Sequence, residues 1–273
     1  MSAWLDHGDS LVESRIFYPE RAFWEQPADY GLAVQDLWLT TADGLSLHAW
    51  HLPAKESPWL LLFCHGNAGN ISHRLDNLHR LHQAGIGVLI FDYRGYGQSE
   101  GSPSEKGLYV DSEAAWAAAG RLAAAAGRTP VIFGRSLGGA AAVYLAARHQ
   151  PAAVILESTF TNLADLARQH FALPLPRAWL ARRFDNLGRI QGVRAPLLFL
   201  HGDADDIVPW ELGRALYEAA PGPKEFRTIP GAGHNDTYDR AGPAYFSWLR
   251  DFLTVNAPPP APAAGLDQPG PAK

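Results

Sequence analysis

Residues 134–138 read Gly-Arg-Ser-Leu-Gly, a G-x-S-x-G pattern that follows an apolar run at 130–133 and precedes a run of small residues at 139–147. The apolar run predicts a short buried strand and the alanine-rich run predicts a helix, so Ser136 would occupy a sharp strand-to-helix turn. Such a turn strains the serine backbone and exposes its hydroxyl, while the flanking glycines avoid collisions there. The pattern is typical of a nucleophilic serine, although a serine that only caps a helix after a tight turn also produces it.

Length and composition place the chain among globular proteins of one large or two small domains. It has 273 residues, of which 47% are hydrophobic, so it can bury a sizeable core. A net charge of −5 without a basic run gives no basis for nucleic-acid binding or for binding to an anionic membrane surface. Cys64 is the single cysteine, which excludes an intrachain disulfide and a cysteine metal site. We expect neither a metal ion nor a cofactor.

No targeting or membrane-spanning segment is evident in the sequence. No apolar run reaches the length of a bilayer span. The N-terminal region contains Asp6, Asp9 and Glu13 and lacks the basic and apolar regions of a secretory signal. We therefore expect a cytoplasmic protein.

Apolar runs separated by helical segments predict one mixed sheet. The predicted strands are at 34–40, 45–52, 58–64, 86–92, 130–133, 152–156, 195–200 and 226–229. The Asp43-Gly44 pair predicts a hairpin between the first two strands, and the later apolar runs are typical of parallel strands that helices cover on both faces. Helices are predicted at 71–83, 104–126 and 139–147. The fold class is α/β, with a mostly parallel eight-stranded sheet flanked by helices.

We divide the chain into an N-terminal extension at 1–33, a single α/β domain at 34–256 and a tail at 257–273. The tail is dominated by proline, alanine and glycine, a composition that predicts disorder. Within the domain, 158–193 is a long connection that contains apolar residues and prolines. It is either a small cap over a site or an ordinary crossover helix with a long loop.

Ligands in doubly wound sheets bind at the carboxyl ends of the strands, so the loops there should carry the groups that activate Ser136. His234 follows the last predicted strand in a glycine-flanked loop and is the best candidate base. Three aspartates of the preceding strand's loop compete for the role of the acid: Asp203, Asp205 and Asp206. Glu157, at the end of its own strand, is a further candidate. The chain order serine, acid, histidine is the one expected for this type of turn.

The same chemistry requires N–H donors for a developing oxyanion. The amide after the serine belongs to Leu137, and a second donor should come from the loop at 65–70, where Asn67 is the expected position. A phosphate cradle also uses such glycines, but the G-K-[ST] ending of that loop type is missing. In the neighbouring loop, the tyrosines and Arg94 either shape the pocket or fix the loop, and we favour the structural role because Asp92 and Arg94 could pair locally.

Five motifs in a fixed order carry a resemblance to a known superfamily: HGNAGN at 65–70, DYRGYGQSEGSPSE at 92–105, GRSLGG at 134–139, HGDADDIVP at 201–209 and GAGHND at 231–236. Over residues 34–254 the chain resembles the α/β hydrolases, and more narrowly the bud-emergence-type and depalmitoylase-like serine hydrolases. The resemblance implies a single α/β-hydrolase domain in which Ser136 is the nucleophile, Asp205 the acid and His234 the base.

The resemblance also implies an oxyanion hole formed by the amides of Asn67 and Leu137. We expect a hydrolase of carboxylic esters or thioesters that works through an acyl-enzyme. A peptidase or amidase that uses the same residues, and a non-catalytic ligand-binding protein on the same scaffold, are the alternatives. A membrane anchor or an N-terminal cysteine cluster, which some members have, is not matched here. We therefore expect no membrane anchor, no nucleic-acid partner and a small-molecule or acyl substrate.

Overall fold

The computed structural model of the protein describes residue 13, residues 15–170 and residues 176–259. Its strands are β1 (Gln35–Thr40), β2 (Ser46–Leu52), β3 (Trp59–Cys64), β4 (Gly87–Phe91), β5 (Thr129–Arg135), β6 (Val154–Glu157), β7 (Leu197–Gly202) and β8 (Lys224–Ile229). They form one sheet in the order β1-β2-β4-β3-β5-β6-β7-β8. β2 pairs antiparallel with β1 and β4, and the other neighbouring pairs are parallel. The predicted eight-stranded, mostly parallel sheet is confirmed.

Helices cover both faces of this sheet. In the described part of the chain they are α1 (Leu75–Gln83), α2 (Glu105–Ala125), α3 (Leu137–His149), α4 (Leu163–His170), α5 (Arg177–Leu180), α6 (Asn186–Ile190), α7 (Trp210–Ala219), α8 (Thr237–Ala241) and α9 (Pro243–Asn256). The helix predicted at 71–83 begins as a short 3₁₀ turn, Ile71–Arg74, and continues as α1. None of the helices in the described ranges is long and apolar enough to span a bilayer.

Two apolar layers, one on each face of the sheet, form the core. Every residue of β3 is buried, and its side chains alternate between the layers. Leu60 and Leu62 pack in the layer of α2 and α3, whereas Leu61 and Phe63 pack in the layer of α1 and α9. Because both faces of the central strands are covered, these strands appear in the sequence as continuous apolar runs.

The two glycines of the 134–138 motif let α3 approach the sheet closely. A Cβ at Gly138 would lie 1.9 Å from the carbonyl oxygen of Cys64, and a Cβ at Gly134 would lie 2.5 Å from the Cβ of Ala142. A larger residue at either position would force α3 away from the strands. This close packing positions Ser136 at the carboxyl end of β5.

The N-terminal segment, residues 15–20, runs beside the loop that follows β3. Backbone hydrogen bonds of 3.1 Å join Gly69 to Tyr18 and Glu20. Residues 1–12 and 14 of the predicted extension lie outside the described residues. The part that is described is therefore attached to the α/β domain.

At the other end of the chain, Ala257 is fully buried and its carbonyl accepts a hydrogen bond of 2.7 Å from Trp59 Nε1. Thr129 Oγ1 donates to the carbonyl of Pro258 at 2.7 Å. The chain thus follows the domain surface to at least residue 258. Residues 260–273, which make up most of the predicted tail, lie outside the described residues.

The long connection at 158–193, which we call the cap segment after the first of its two interpretations, contains α4, α5 and α6, and its residues 171–175 lie outside the described residues. It is attached to the beginning of α2 through Glu105. The fully buried Phe184 donates its backbone N–H to Glu105 Oε1 at 2.6 Å, and Arg183 Nε lies 2.7 Å from Glu105 Oε2. One carboxylate therefore binds both the backbone and a cationic side chain of the cap segment.

Candidate active site

Ser136 lies in a strained turn between β5 and α3. Its φ of 53° is positive, and such a conformation costs a non-glycine residue on the order of 1–3 kcal/mol. The backbone N–H donates to the carbonyl of Glu157 at 2.9 Å, and the Ser136 carbonyl accepts from Thr159 Oγ1 at 3.0 Å. These bonds hold the strained turn in place, and the turn presents the hydroxyl at the carboxyl end of β5.

Three side chains from three different loops meet at this turn. His234, between β8 and α8, has its Nε2 3.0 Å from Ser136 Oγ. Its Nδ1 lies 2.8 Å from Oδ2 of Asp205, which comes from the loop after β7. Because an ionised carboxylate only accepts hydrogen bonds, Nδ1 carries the proton and Nε2 is left to accept one from the Ser136 hydroxyl. The structure thus joins the serine, the histidine and one of the competing aspartates in a chain of hydrogen bonds.

Asp205 is held as an ionised acceptor. Its Oδ1 accepts from the backbone N–H groups of Ile207 at 3.0 Å and Val208 at 2.7 Å. Burial opposes ionisation, but hydrogen bonds from His201, His234 and the backbone outweigh it and hold the pKa of the Asp205 carboxyl well below its ordinary value. An ionised Asp205 orients the His234 ring and favours its cationic form.

The other acidic candidates occupy different surroundings. Asp203 and Asp206 are exposed. Glu157 is fully buried, and its carboxylate accepts hydrogen bonds from hydroxyl groups on α8 and α9. Of these acids, Asp205 is the one within hydrogen-bond distance of His234.

Asn67 and Leu137 line the same cavity as Ser136. Leu137 is the first residue of α3, so its N–H has no acceptor within the helix and lies at the positive end of the helix dipole. The loop that carries Asn67 passes close to the serine, since a Cβ at Gly66 would lie 3.4 Å from the Ser136 Cβ. The structure therefore places both predicted donor residues beside Ser136.

The side chain of Asn67 connects this loop to the N-terminal segment. Its Oδ1 accepts from the N–H of Tyr18 at 3.1 Å and from the hydroxyl of Tyr96 at 2.7 Å, and its Nδ2 donates to the carbonyl of Ile16. Arg74 Nη2 donates to three successive carbonyls of the loop at 2.6 to 3.4 Å. Sequence reasoning singled out only the Asn67 backbone and missed these side-chain contacts.

Two buried ionisable groups, His65 and Asp92, lie at the base of the same loop, with His65 Nε2 3.7 Å from Asp92 Oδ1. Burial lowers the pKa of His65 to about 3 and raises that of Asp92 to about 8, and so favours the uncharged form of both groups over an ion pair. The predicted local pair between Asp92 and Arg94 is wrong. Arg94 instead binds Asp111 and Asp43, because its side chain extends towards α2 and the β1–β2 hairpin.

Two cavities meet at Ser136. The first, which we call the apolar cavity, has a volume of about 580 Å³. Its apolar wall includes Ile16, Phe160, Leu163, Leu166, Ala167 and Phe184. The second, which we call the polar cleft, has a volume of about 610 Å³. Its wall includes Glu20, His73, Arg74, Arg135, Asn235 and Tyr238.

The cap segment supplies most of these apolar side chains, and the N-terminal segment supplies Ile16. Sequence reasoning did not assign the N-terminal segment to the site, although the apolar run at 16–18 was an available signal. In the ranges that the structure describes, no group of three or more histidine, cysteine or acidic residues is arranged to hold a metal ion.

Known proteins resemble this chain over most of its length. A family model described as serine aminopeptidase S33 matches residues 55–189. A Mycobacterium tuberculosis protein, Rv2307c, is 41% identical over 233 residues, which cover 82% of this chain and 81% of the relative. Protein bem46 of Schizosaccharomyces pombe is 34% identical over 244 residues, covering 84% and 80%. Alpha/beta hydrolase domain-containing protein 17B of Xenopus tropicalis is 32% identical over 240 residues, covering 86% and 80%.

The chain belongs to the α/β-hydrolase family. Within the family, the likeness to bem46 and protein 17B matches the bud-emergence-type and depalmitoylase-like group that the motifs predict. Among solved structures, the Pyrococcus furiosus esterase Pf2001 has a TM-score of 0.74 at 20% identity, over 88% of this chain and 98% of that chain. This structural likeness shows the fold. The protein is thus a single-domain α/β hydrolase of the serine-hydrolase type.

Proposed function

We propose that this α/β hydrolase cleaves carboxylic esters or thioesters through an acyl-enzyme, with Ser136 as the nucleophile. The observation that carries the proposal is the hydrogen-bond chain from Ser136 Oγ to His234 at 3.0 Å and from His234 to Asp205 at 2.8 Å. A strained turn, two residues beside Ser136 whose amides would act as donors, and an apolar cavity accompany it. These are the components that acyl transfer requires.

Acylation begins when Ser136 Oγ attacks the acyl carbon while His234 Nε2 takes the hydroxyl proton. The carbonyl oxygen becomes an oxyanion, which the amides of Leu137 and Asn67 stabilise; one such donor contributes about 3 kcal/mol. The imidazolium, stabilised by Asp205, then gives its proton to the departing alkoxide or thiolate. The bond to the leaving group breaks and the acyl-enzyme remains.

Deacylation repeats these steps with water as the nucleophile. His234 Nε2 takes a proton from the water while the water oxygen attacks the acyl carbon. The bond between the acyl carbon and Ser136 Oγ then breaks, and the proton passes from His234 to Ser136. A carboxylic acid is released and the enzyme returns to its starting state.

The two cavities divide the substrate between them. The apolar cavity would hold the acyl group, because each buried methylene contributes about 0.8 kcal/mol. The polar cleft, with the charged Glu20 and Arg74 in its wall, would hold the alcohol or thiol portion. In this arrangement the cap segment is an acyl-binding wall.

An active-site-directed fluorophosphonate tests the proposal directly. We expect it to label the wild-type protein and to fail with Ser136→Ala, since phosphonylation requires an activated serine. A series of p-nitrophenyl esters from acetate to palmitate would then measure the acyl-chain preference. Absence of wild-type labelling would contradict the enzyme proposal and favour a ligand-binding protein on the same scaffold.

A peptidase or amidase activity is the second candidate, because the family model that matches residues 55–189 is described as a serine aminopeptidase. An amide has a poorer leaving group, so its hydrolysis depends more strongly on proton donation from His234. Comparing aminoacyl p-nitroanilides with p-nitrophenyl esters of the same acyl groups distinguishes the two. A higher kcat/KM for the anilides than for the esters would contradict the esterase proposal and favour a peptidase or amidase.

A further inference from the structure

Arg135 directly precedes Ser136 and joins its strand to the loop that carries His234. Arg135 Nη2 donates to the His234 carbonyl at 2.8 Å and to Asn235 Oδ1 at 3.2 Å. Its Nε lies 3.2 Å from Oε1 of Glu157. A single buried guanidinium thus contacts both the base's own backbone and the neighbouring strand.

Glu157 anchors this contact. It ends β6 and lies opposite Arg135, the last residue of β5, in the parallel pairing of the two strands. The Glu157 carboxylate is fully buried and accepts from the hydroxyls of Thr237, at 2.5 Å, and Tyr245. These hydroxyls belong to α8 and α9, the two helices that follow the His234 loop. Glu157 therefore balances the charge of Arg135 and binds both helices to the strand ends.

The two sides of the His234 loop are held differently. On the upstream side, the Ala232 carbonyl accepts a hydrogen bond of 3.0 Å from the N–H of Ala204 in the loop that carries Asp205. At His234 and Asn235, the hydrogen bonds that link the loop to a strand come from Arg135. A misplacement of about 1 Å in a reacting group can cost about a hundredfold in rate. The distance between His234 Nε2 and Ser136 Oγ therefore depends on how Arg135 holds the His234 side of the loop.

On the basis of the proposed function, we infer that Arg135 and Glu157 are positioning residues that set the distance between the base and the nucleophile. Neither side chain takes part in bond making. A guanidinium suits this role because it is planar and holds its charge against the Glu157 carboxylate through Nε while Nη2 donates to the His234 carbonyl. A lysine ammonium, a compact charge on a flexible stem, neutralises Glu157 but does not reproduce this geometry.

Arg135→Lys tests the inference through the separate measurement of kcat and KM on a p-nitrophenyl ester that the wild type hydrolyses. We expect kcat to fall about tenfold to a hundredfold while KM changes much less, because the contacts of the acyl group with the apolar cavity are unchanged. Arg94→Lys is the matched control, since Arg94 is also largely buried and also binds a buried carboxylate, that of Asp111. The control should lose a similar amount of stability but retain the wild-type kcat per folded molecule.

Proton NMR supplies a readout that a general loss of stability does not change. The proton between His234 Nδ1 and Asp205 should give a low-field resonance that is absent from His234→Ala. We expect this resonance to broaden or shift in Arg135→Lys and to remain unchanged in Arg94→Lys. Glu157→Gln keeps an oxygen near Arg135, so we expect it to broaden or shift the low-field resonance to a smaller degree. If Arg135→Lys does not fold, Glu157→Gln is the variant that tests the positioning role.

A wild-type kcat and an unchanged low-field resonance in the folded variants would overturn the positioning role. An equal loss of kcat in Arg94→Lys would do the same, because the effect would then follow from stability. A wild-type protein that neither hydrolyses esters nor reacts with the fluorophosphonate would instead contradict the proposed function itself.

Discussion

The two cavities that meet at Ser136 are built in different ways. The polar cleft is formed largely by loops that leave the carboxyl ends of β3, β5 and β8, and side-chain hydrogen bonds hold its wall at Asn67, Arg74 and Arg135. The apolar cavity is formed largely by the cap segment and the N-terminal segment, neither of which contributes a strand to the sheet. The sheet therefore positions Ser136, Asp205 and His234, whereas added segments shape the apolar cavity beside them.

Because the two cavities are built differently, substitutions in the polar cleft and in the apolar cavity should change different kinetic quantities. The cap segment is attached at Glu105, where Arg183 and the Phe184 N–H bind one carboxylate. Its contacts with substrate would be apolar and non-directional, so they affect which acyl group is bound. Changes on the sheet side should alter kcat, and changes on the cap side should alter selectivity among acyl chains.

The largest effect is expected at the base. His234→Ala should lower kcat by about a millionfold, because the serine then has no acceptor for its proton. Thermal stability should stay near that of the wild type, since Asp205 keeps its backbone hydrogen bonds from Ile207 and Val208. Ester hydrolysis and a thermal melt measure the two quantities. Retained turnover would show that another group acts as the base.

The next largest effect is expected at the acid. Asp205→Asn should lower kcat by about ten-thousandfold, because a neutral amide no longer favours the correct tautomer and the cationic form of His234. Asp206→Asn, an exposed position next to it, is the matched control and should behave like the wild type. The kcat of both variants on the same ester decides the assignment. A large loss of kcat in Asp206→Asn with little loss in Asp205→Asn would instead assign the acid to Asp206.

A smaller and selective effect is expected in the apolar cavity. Ala167→Leu adds volume to its wall, so kcat/KM for the longest ester that the wild type accepts should fall about tenfold. The rate with acetate should change little. Ala178→Leu, an exposed position in the same cap segment, should leave the whole chain-length profile unchanged. Equal losses for short and long esters would place the acyl group elsewhere.

The smallest effect concerns the buried Asp92, which accepts a hydrogen bond from the N–H of Ile71 after the Asn67 loop, and it depends on pH. Burial raises the pKa of Asp92 to about 8 in the folded protein, above the unfolded value of about 3.9. The unfolded chain loses this proton first, so the free energy of unfolding falls as pH rises between these two values. Asp92→Asn keeps an acceptor for the N–H of Ile71 and removes the titration.

The melting temperature of Asp92→Asn should therefore exceed that of the wild type by a few degrees at pH 8 and by less at pH 5. Asp206→Asn, measured in parallel, should follow the wild-type pH dependence. A stability difference that does not change with pH would show that Asp92 is ionised in the folded protein, and a buried charge would then lie beside His65.

Much of the fold and several site positions could be predicted because short stretches of sequence carry them. Continuous apolar runs mark strands that are covered on both faces, and the turn around Ser136 needs glycines at fixed offsets. His234 was identifiable because it directly follows a strand. The choice among Asp203, Asp205 and Asp206 was not open to the same reasoning, because neighbouring residues on one loop differ only in the direction that folding gives their side chains.

The sequence by itself determined the α/β class, the order of the strands along the chain and the loops in which a serine, an acid and a histidine would be found. Tertiary structure decided which aspartate reaches His234, that Arg94 binds Asp111 instead of Asp92, and that Ile16 joins the cap segment around the apolar cavity. The physical reason is the range of the interactions. Backbone turns and apolar periodicity are local properties, whereas these contacts join residues that only the folded chain brings together.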